Sequence, residues 1–192
     1  MNIKIVIDSA CDMSLADAEK SNIRIVPLKV FFGDKMYLDN VTLSHSEFYE
    51  KLIESTRLPT TSQITPYEFG QVFREETQAG NKVICITVSS KLSGTYQSAF
   101  LAAKDFENVA VVDSLNGSIG ERILADYGVS LINRGKSFEE IVETLNEEKN
   151  NIRLMAMLDT LEYLKKGGRI SGAAAIAGSF LNLKPYAEVK NG

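Results

Sequence analysis

Apolar and polar positions along this chain follow two periods. Unbroken apolar, β-branched runs of strand length occur at Ile3–Ile7, Ile23–Phe32, Val83–Val88, Val109–Val112 and Arg153–Leu158, and runs of this kind read as strands buried on both faces. Between them lie helical segments with one apolar face. Ser14 caps Leu15–Ser21, and Ser44 or Ser46 starts a helix through Ile53 with Phe48, Tyr49 and Leu52 inward. Thr65 is the expected N-cap of a helix opened by Pro66, with Glu68 in its first turn and Phe69, Val72 and Phe73 inward. Further helices are expected from Thr95 with Tyr96, Phe100 and Ala103 inward, over Ser118–Asn133 closed by Gly135, and from Phe138 to about Lys149. Strands alternating with helices in this way predict an α/β fold: a doubly wound parallel sheet with helices on both faces.

Turn residues modify that outline. Pro27 interrupts the second run and marks an edge or a bend, and Gly33-Asp34-Lys35 predicts a hairpin into a short strand at Met36–Leu38. After Asp159 the texture changes. Leu161–Lys166 is a short amphipathic helix stopped by Gly167-Gly168; an Ala-rich helix to Leu181 follows, then a strand over Lys184–Val189. Asn191-Gly192 is a strong hairpin signal with no return strand after it. The expected organisation is a parallel α/β domain over residues 1–159 and, at 160–192, the start of a smaller, incomplete α+β second domain within a longer chain.

Composition narrows the function classes. The 192 residues are 44% hydrophobic and 24% charged, with a net charge of −4, which disfavours nucleic acid as a partner. No apolar stretch has the length of a signal peptide or a membrane span, so a cytoplasmic protein without stable membrane insertion is expected. Cys11 and Cys85 make no disulfide framework; Cys85 sits inside a strand as a small hydrophobe, while Cys11 lies in a loop. With one histidine, His45, in the cap region of an early helix, the chain offers a poor zinc-ligand set.

The stretch Lys82–Ala103 organises the candidate chemistry. A buried strand runs into Ser89-Ser90-Lys91-Leu92-Ser93-Gly94-Thr95 and then a helix. Such a turn aims backbone N–H groups and a helix dipole at one point, which suits an anion; Ser93 and Thr95 add hydroxyls, and Gly94 admits close approach. The same Ser and Thr are also ordinary helix caps. A second hydroxyl-rich loop, Arg57-Leu58-Pro59-Thr60-Thr61-Ser62-Gln63, precedes the next helix. Neither a phosphate-binding GxxxxGK[ST] loop nor a GxSxG nucleophile elbow is present. Asp8, Asp113 and Asp159 each end a strand, where ligands of doubly wound sheets collect. An Mg²⁺-dependent phosphotransferase or hydrolase is the enzyme reading of these acids, and capping of the following segment is the structural one.

Taken together, several segments resemble the DegV family of bacterial fatty-acid-binding proteins. They are Ile7-Asp8-Ser9 with Asp12, Pro59–Gln63, Ser89–Tyr96, Val112-Asp113-Ser114 with Ser118 and Gly120, and Leu161–Ser171. Their order and spacing cover nearly the whole chain.

The resemblance implies a lipid-binding carrier rather than an enzyme, with no cofactor and no metal. A long-chain fatty acid would lie between two domains, and a separate fatty-acid kinase would convert its carboxylate to an acyl-phosphate for phospholipid synthesis. The implied carboxylate site maps onto Thr61 and Ser93, with the Gly94 N–H and Ser62 beside them. Arg169, after two glycines, is the expected contact for the kinase or the new phosphate, with a salt bridge to a nearby acid as its structural alternative. Family members continue beyond the equivalent of Gly192 and add a histidine near the carboxylate, a role that His45 does not fill. An incomplete second domain would also favour a homo-oligomer through its open edge. An enzymatic Ser93 would need a base within reach, and none is evident nearby.

Overall fold

Strands that are apolar on both faces must be covered on both faces, and this requirement shapes the larger part of the molecule. The computed structural model describes residues 2–170 and 184–189. In chain order the elements are β1 (Asn2–Asp8), α1 (Leu15–Lys20), β2 (Ile23–Val26), β3 (Lys29–Phe32), β4 (Lys35–Leu38), α2 (His45–Glu54), β5 (Thr60–Ser62) and α3 (Pro66–Gln78). They continue as β6 (Asn81–Thr87), α4 (Thr95–Ala103), β7 (Val109–Asp113), α5 (Ser118–Asn133), α6 (Phe138–Glu148), β8 (Leu154–Met157), α7 (Glu162–Lys166) and β9 (Tyr186–Val189). The expected Ala-rich helix to Leu181 and the Asn191-Gly192 turn lie outside the described residues.

The main sheet is parallel, in the order β2-β1-β6-β7. On one face Ile5, Ile7, Ile84 and Ile86 meet Leu124, Ala125 and Leu131 of α5 and Ile141 and Leu145 of α6. On the other, Val6, Val83 and Cys85 meet Phe69, Val72 and Phe73 of α3 and Ala99 and Ala102 of α4. This is the predicted parallel sheet with helices on both faces. The N-caps also follow expectation: Ser14, Ser44 and Thr65 each accept a backbone N–H of their helix, and the last two form complete capping boxes with Glu47 and Glu68.

Three expectations change. The α4 face that meets the sheet is Thr95, Ser98, Ala99 and Ala102, while Phe100 is 47% exposed and stacks on Tyr96 on the outer side. Small residues let the helix approach the strands closely, so size outweighed hydrophobicity. Arg153–Leu158 does not join the parallel sheet: β8 pairs antiparallel with β9, with Met155 and Met157 outward. The run was one-sided, not buried on both faces. Finally, α2 buries no residue, and Tyr49 is 63% exposed.

Pro27 marks a change of sheet. β2 is the edge of the parallel sheet, and past Pro27 the chain enters a separate antiparallel sheet in the order β4-β3-β5, with Gly33-Asp34 as the hairpin turn between β3 and β4. Thr61 therefore sits on β5, paired with Val30, while Ser93 follows β6 of the parallel sheet. Among the described residues no helix is long and apolar enough to cross a membrane.

Phe69 is fully buried and stacks on Phe73 at 5.7 Å, seating α3 and hence the β5 loop before it. Phe69→Ala is expected to cost about 3–5 kcal/mol of stability, read as a fall in the urea midpoint.

Candidate functional site

The turn after β6 is held from several sides. Val88 N–H donates to Asp8 Oδ2 at 2.8 Å, Ser89 N–H to the Asn116 carbonyl at 2.7 Å, and Ser90 N–H to Asp113 Oδ1 at 3.1 Å. Lys91 N–H donates to Ser89 Oγ, while Leu92 and Ser93 N–H donate to the Ser89 carbonyl. Every N–H from Val88 to Ser93 thus has an acceptor. Gly94 N–H is the first in the turn without one among the described residues, at the start of α4. The helix dipole and this open donor favour an anion there.

Thr95 is fully buried and supports Ser93 instead of facing a ligand. Its N–H donates to Ser93 Oγ at 3.2 Å, and the two hydroxyl oxygens lie 2.9 Å apart. When Thr95 Oγ1 is the donor of the second bond, Ser93 accepts twice and its own O–H is left to point outward.

Thr61, Ser62, Ser93, Gly94 and Arg169 line one half-open cavity of about 550 Å³, with Ala10, Leu28, Val88 and Leu92 in its walls. Leu28 is fixed there by its N–H to Ser9 Oγ at 3.0 Å. A groove of about 900 Å³ adjoins it, lined by Phe48, Tyr49 and Leu52 of α2, Leu58, Pro59 and Tyr163. Thr61 and Arg169 line both spaces. The apolar face of α2, expected to be core, instead forms this wall. Gly168, at φ +74°, turns the chain after α7, and Arg169 Nη1 donates to the Gly167 carbonyl at 2.5 Å. Among the described residues no carboxylate lies within ion-pair distance of Arg169.

The strand-end acids do structural work. Asp8 caps the short 3-10 turn Ser9–Cys11 through Ala10 N–H as well as holding Val88. Burial raises its pKa to about 6 against the opposing effect of those two N–H donors. Asp113 accepts from Ser90 and Leu115 N–H, a loop clamp and not a helix cap. Asp159 stands away from this edge, beside the β8–β9 sheet, and pairs with Lys184 at 3.0 Å. Among the described residues no three of His, Cys, Asp and Glu converge as metal ligands. Cys11 and Cys85 are both buried and free; burial pushes the Cys11 thiol up to about 12 and the Cys85 thiol well above its usual value. His45 is the first residue of α2 and is exposed.

The comparisons with known proteins converge on one family. A family model described as uncharacterised protein, DegV family, matches residues 2–192. The chain belongs to the DegV family. A DegV domain-containing protein of Clostridium acetobutylicum is 40% identical over 193 residues, covering 99% of this chain and 69% of the relative. A DegV family structure from Thermus thermophilus, described by its fatty acid binding, superposes with a TM-score of 0.90 at 36% identity, covering 100% of this chain and 69% of that one. DegV of Bacillus subtilis, described as a fatty acid binding protein, gives 0.87 at 34% identity, with 100% and 69% covered.

The sequence pointed to no role of their own for two residues of this DegV-family chain. Gln63 closes the cavity beside Gly94. Glu121, on the first turn of α5, is fully buried with neither carboxylate oxygen hydrogen-bonded. Burial, then the charges of Asp8, Asp12 and Asp113, raise its pKa well above 4.5. A carboxyl raised in the folded state contributes stability that is complete below its unfolded pKa and lost as pH rises. Relative to Glu121→Gln, the native chain should therefore lose stability as pH rises from 4.5 toward the raised value. Urea midpoints of the two proteins across that range check this; parallel pH curves would contradict it.

Proposed function

We propose that this chain binds a long-chain fatty acid and presents its carboxylate to a separate fatty-acid kinase. The observation that carries the reading is the junction of a hydroxyl-lined cavity with an apolar groove at Thr61 and Arg169. Thr61, Ser62 and Ser93 hydroxyls and the Gly94 N–H would hold the carboxylate through neutral donors. Bonds to a charged acceptor are stronger than neutral ones, so a few suffice. The tail would run along Phe48, Tyr49, Leu52, Leu58 and Tyr163. At about 0.8 kcal/mol per buried CH₂ it would supply most of the affinity, and the head group its register.

Neutral donors also suit presentation. They orient the carboxylate without protonating it, leaving an oxygen lone pair to attack the terminal phosphorus of a nucleoside triphosphate held by the kinase, so that the new O–P bond would form as the bond to the bridging oxygen breaks and the nucleoside diphosphate leaves. Arg169 would face the charge that the product gains. The fatty-acid binding described for the Thermus thermophilus and Bacillus subtilis proteins supports the reading.

Titration of delipidated protein with a long-chain fatty acid tests it. Ser93→Ala and Thr61→Ala should each weaken binding by about 1–2 kcal/mol, and unchanged affinities would remove the head-group assignment. Arg169→Ala should reduce acyl-phosphate formation with the partner kinase far more than it weakens fatty-acid binding. Equal losses would confine Arg169 to the carboxylate cradle.

A further inference from the structure

Thr61 and Ser93 face one cavity from two sheets that share no strand. No common ladder therefore fixes their separation. Gln63 spans the gap: its Nε2 donates to Ser98 Oγ on α4 at 2.9 Å. It is the one side-chain hydrogen bond between Thr60–Gln63 and Ser89–Ser98 among the described residues. Ser98 is 3% exposed and anchored in the α4 face against the sheet. Gln63 is itself exposed, so no demand of the core places it there.

The amide is also shaped into the turn. A Cβ on Gly94 would stand 1.9 Å from Gln63 Oε1 and 2.8 Å from its Cδ. The absence of a side chain at position 94 thus makes room for Gln63, beyond leaving the Gly94 N–H approachable.

We infer that Gln63 is a positioning residue: seated in the notch at Gly94 and bonded to Ser98, it sets the spacing of the two hydroxyl loops for a carboxylate. The role rests on the fatty-acid reading above. Gln63 also suits the task in charge, since a neutral amide spans the gap without repelling an anionic head group, as a glutamate would. Because the clashing atoms belong to the far end of a flexible, exposed side chain, the methyl group of Gly94→Ala can be accommodated by swinging Gln63 outward. The fold survives this, but the bridge to Ser98 is lost.

A double-mutant cycle on the full chain tests the interlock, with a long-chain fatty acid as probe. Gln63→Ala and Gly94→Ala should each weaken binding about threefold to tenfold, the worth of one hydrogen bond. The double variant should bind more tightly than the product of the two single losses predicts, because the added methyl group then has no amide to displace and keeps only its own effect on the approach to the Gly94 N–H. Ser98→Ala, outside the cavity, should match Gln63→Ala. Melting temperatures should move little in the Gln63 variant, as for other changes at exposed positions, and little in the half-buried Gly94 variant, where the group displaced is the exposed Gln63 side chain. Losses that multiply in the double variant would overturn the inference, as would melting temperatures that fall in step with affinity. Side-chain amide exchange of Gln63, followed by NMR without ligand, separates the two readings. Amide protons that are protected in the native chain and released by Gly94→Ala support the interlock even if no fatty acid binds. Unprotected amide protons in the native chain would overturn it even if fatty acid binds well.

Discussion

The carboxylate of Asp8 closes on two backbone N–H groups, one just after its own strand and one at Val88, 80 residues on. Burying an acid raises its pKa to about 6, so the charge is accommodated against the cost of leaving water. The bond joins the exits of the two central strands, and the exit of β6 is where the hydroxyl turn begins. With Asn116 and Asp113 holding the next two N–H groups, the turn is fixed before any ligand arrives. Its open donor at Gly94 is what remains when the others are used.

The second determinant is the break at Pro27. It ends the edge strand of the parallel sheet and sends the chain into an independent antiparallel sheet that carries Thr61. A single sheet would have placed both hydroxyl loops on one edge with their spacing set by strand pairing. Two sheets leave a gap, and the cavity and groove occupy it. The α2 helix, with no buried residue of its own, walls the groove with Phe48, Tyr49 and Leu52.

Much of this was legible in the sequence, because strands buried on both faces and capped helices leave strong local signals. The α5 limits, the N-caps at Ser14 and Thr65, and the Gly33-Asp34 hairpin all followed from local chemistry. What was not legible depended on partners distant in sequence. The α4 face looked as if Tyr96 and Phe100 led it, yet close packing on the sheet selected Ser98, Ala99 and Ala102. The exposure of α2 could not be told from core burial, because a groove wall and a core wall have the same pattern. Asp113 clamps a loop where capping was expected, since its partner Ser90 belongs to another strand's exit. The roles of Gln63 and Glu121 were not legible: one is an exposed amide that ends a loop whose hydroxyls drew the reading, the other an acid in the ordinary place for one at a helix start.

The two cysteines have a practical consequence. Both thiols are buried and held protonated, Cys11 up to about 12, and the thiolate is the form that reacts with electrophiles. At neutral pH the native protein is therefore nearly silent to maleimides and alkylating probes. A single cysteine placed on the groove wall would be labelled alone, so a fluorophore there could follow the arrival of an apolar tail with no need to remove the native thiols from the core.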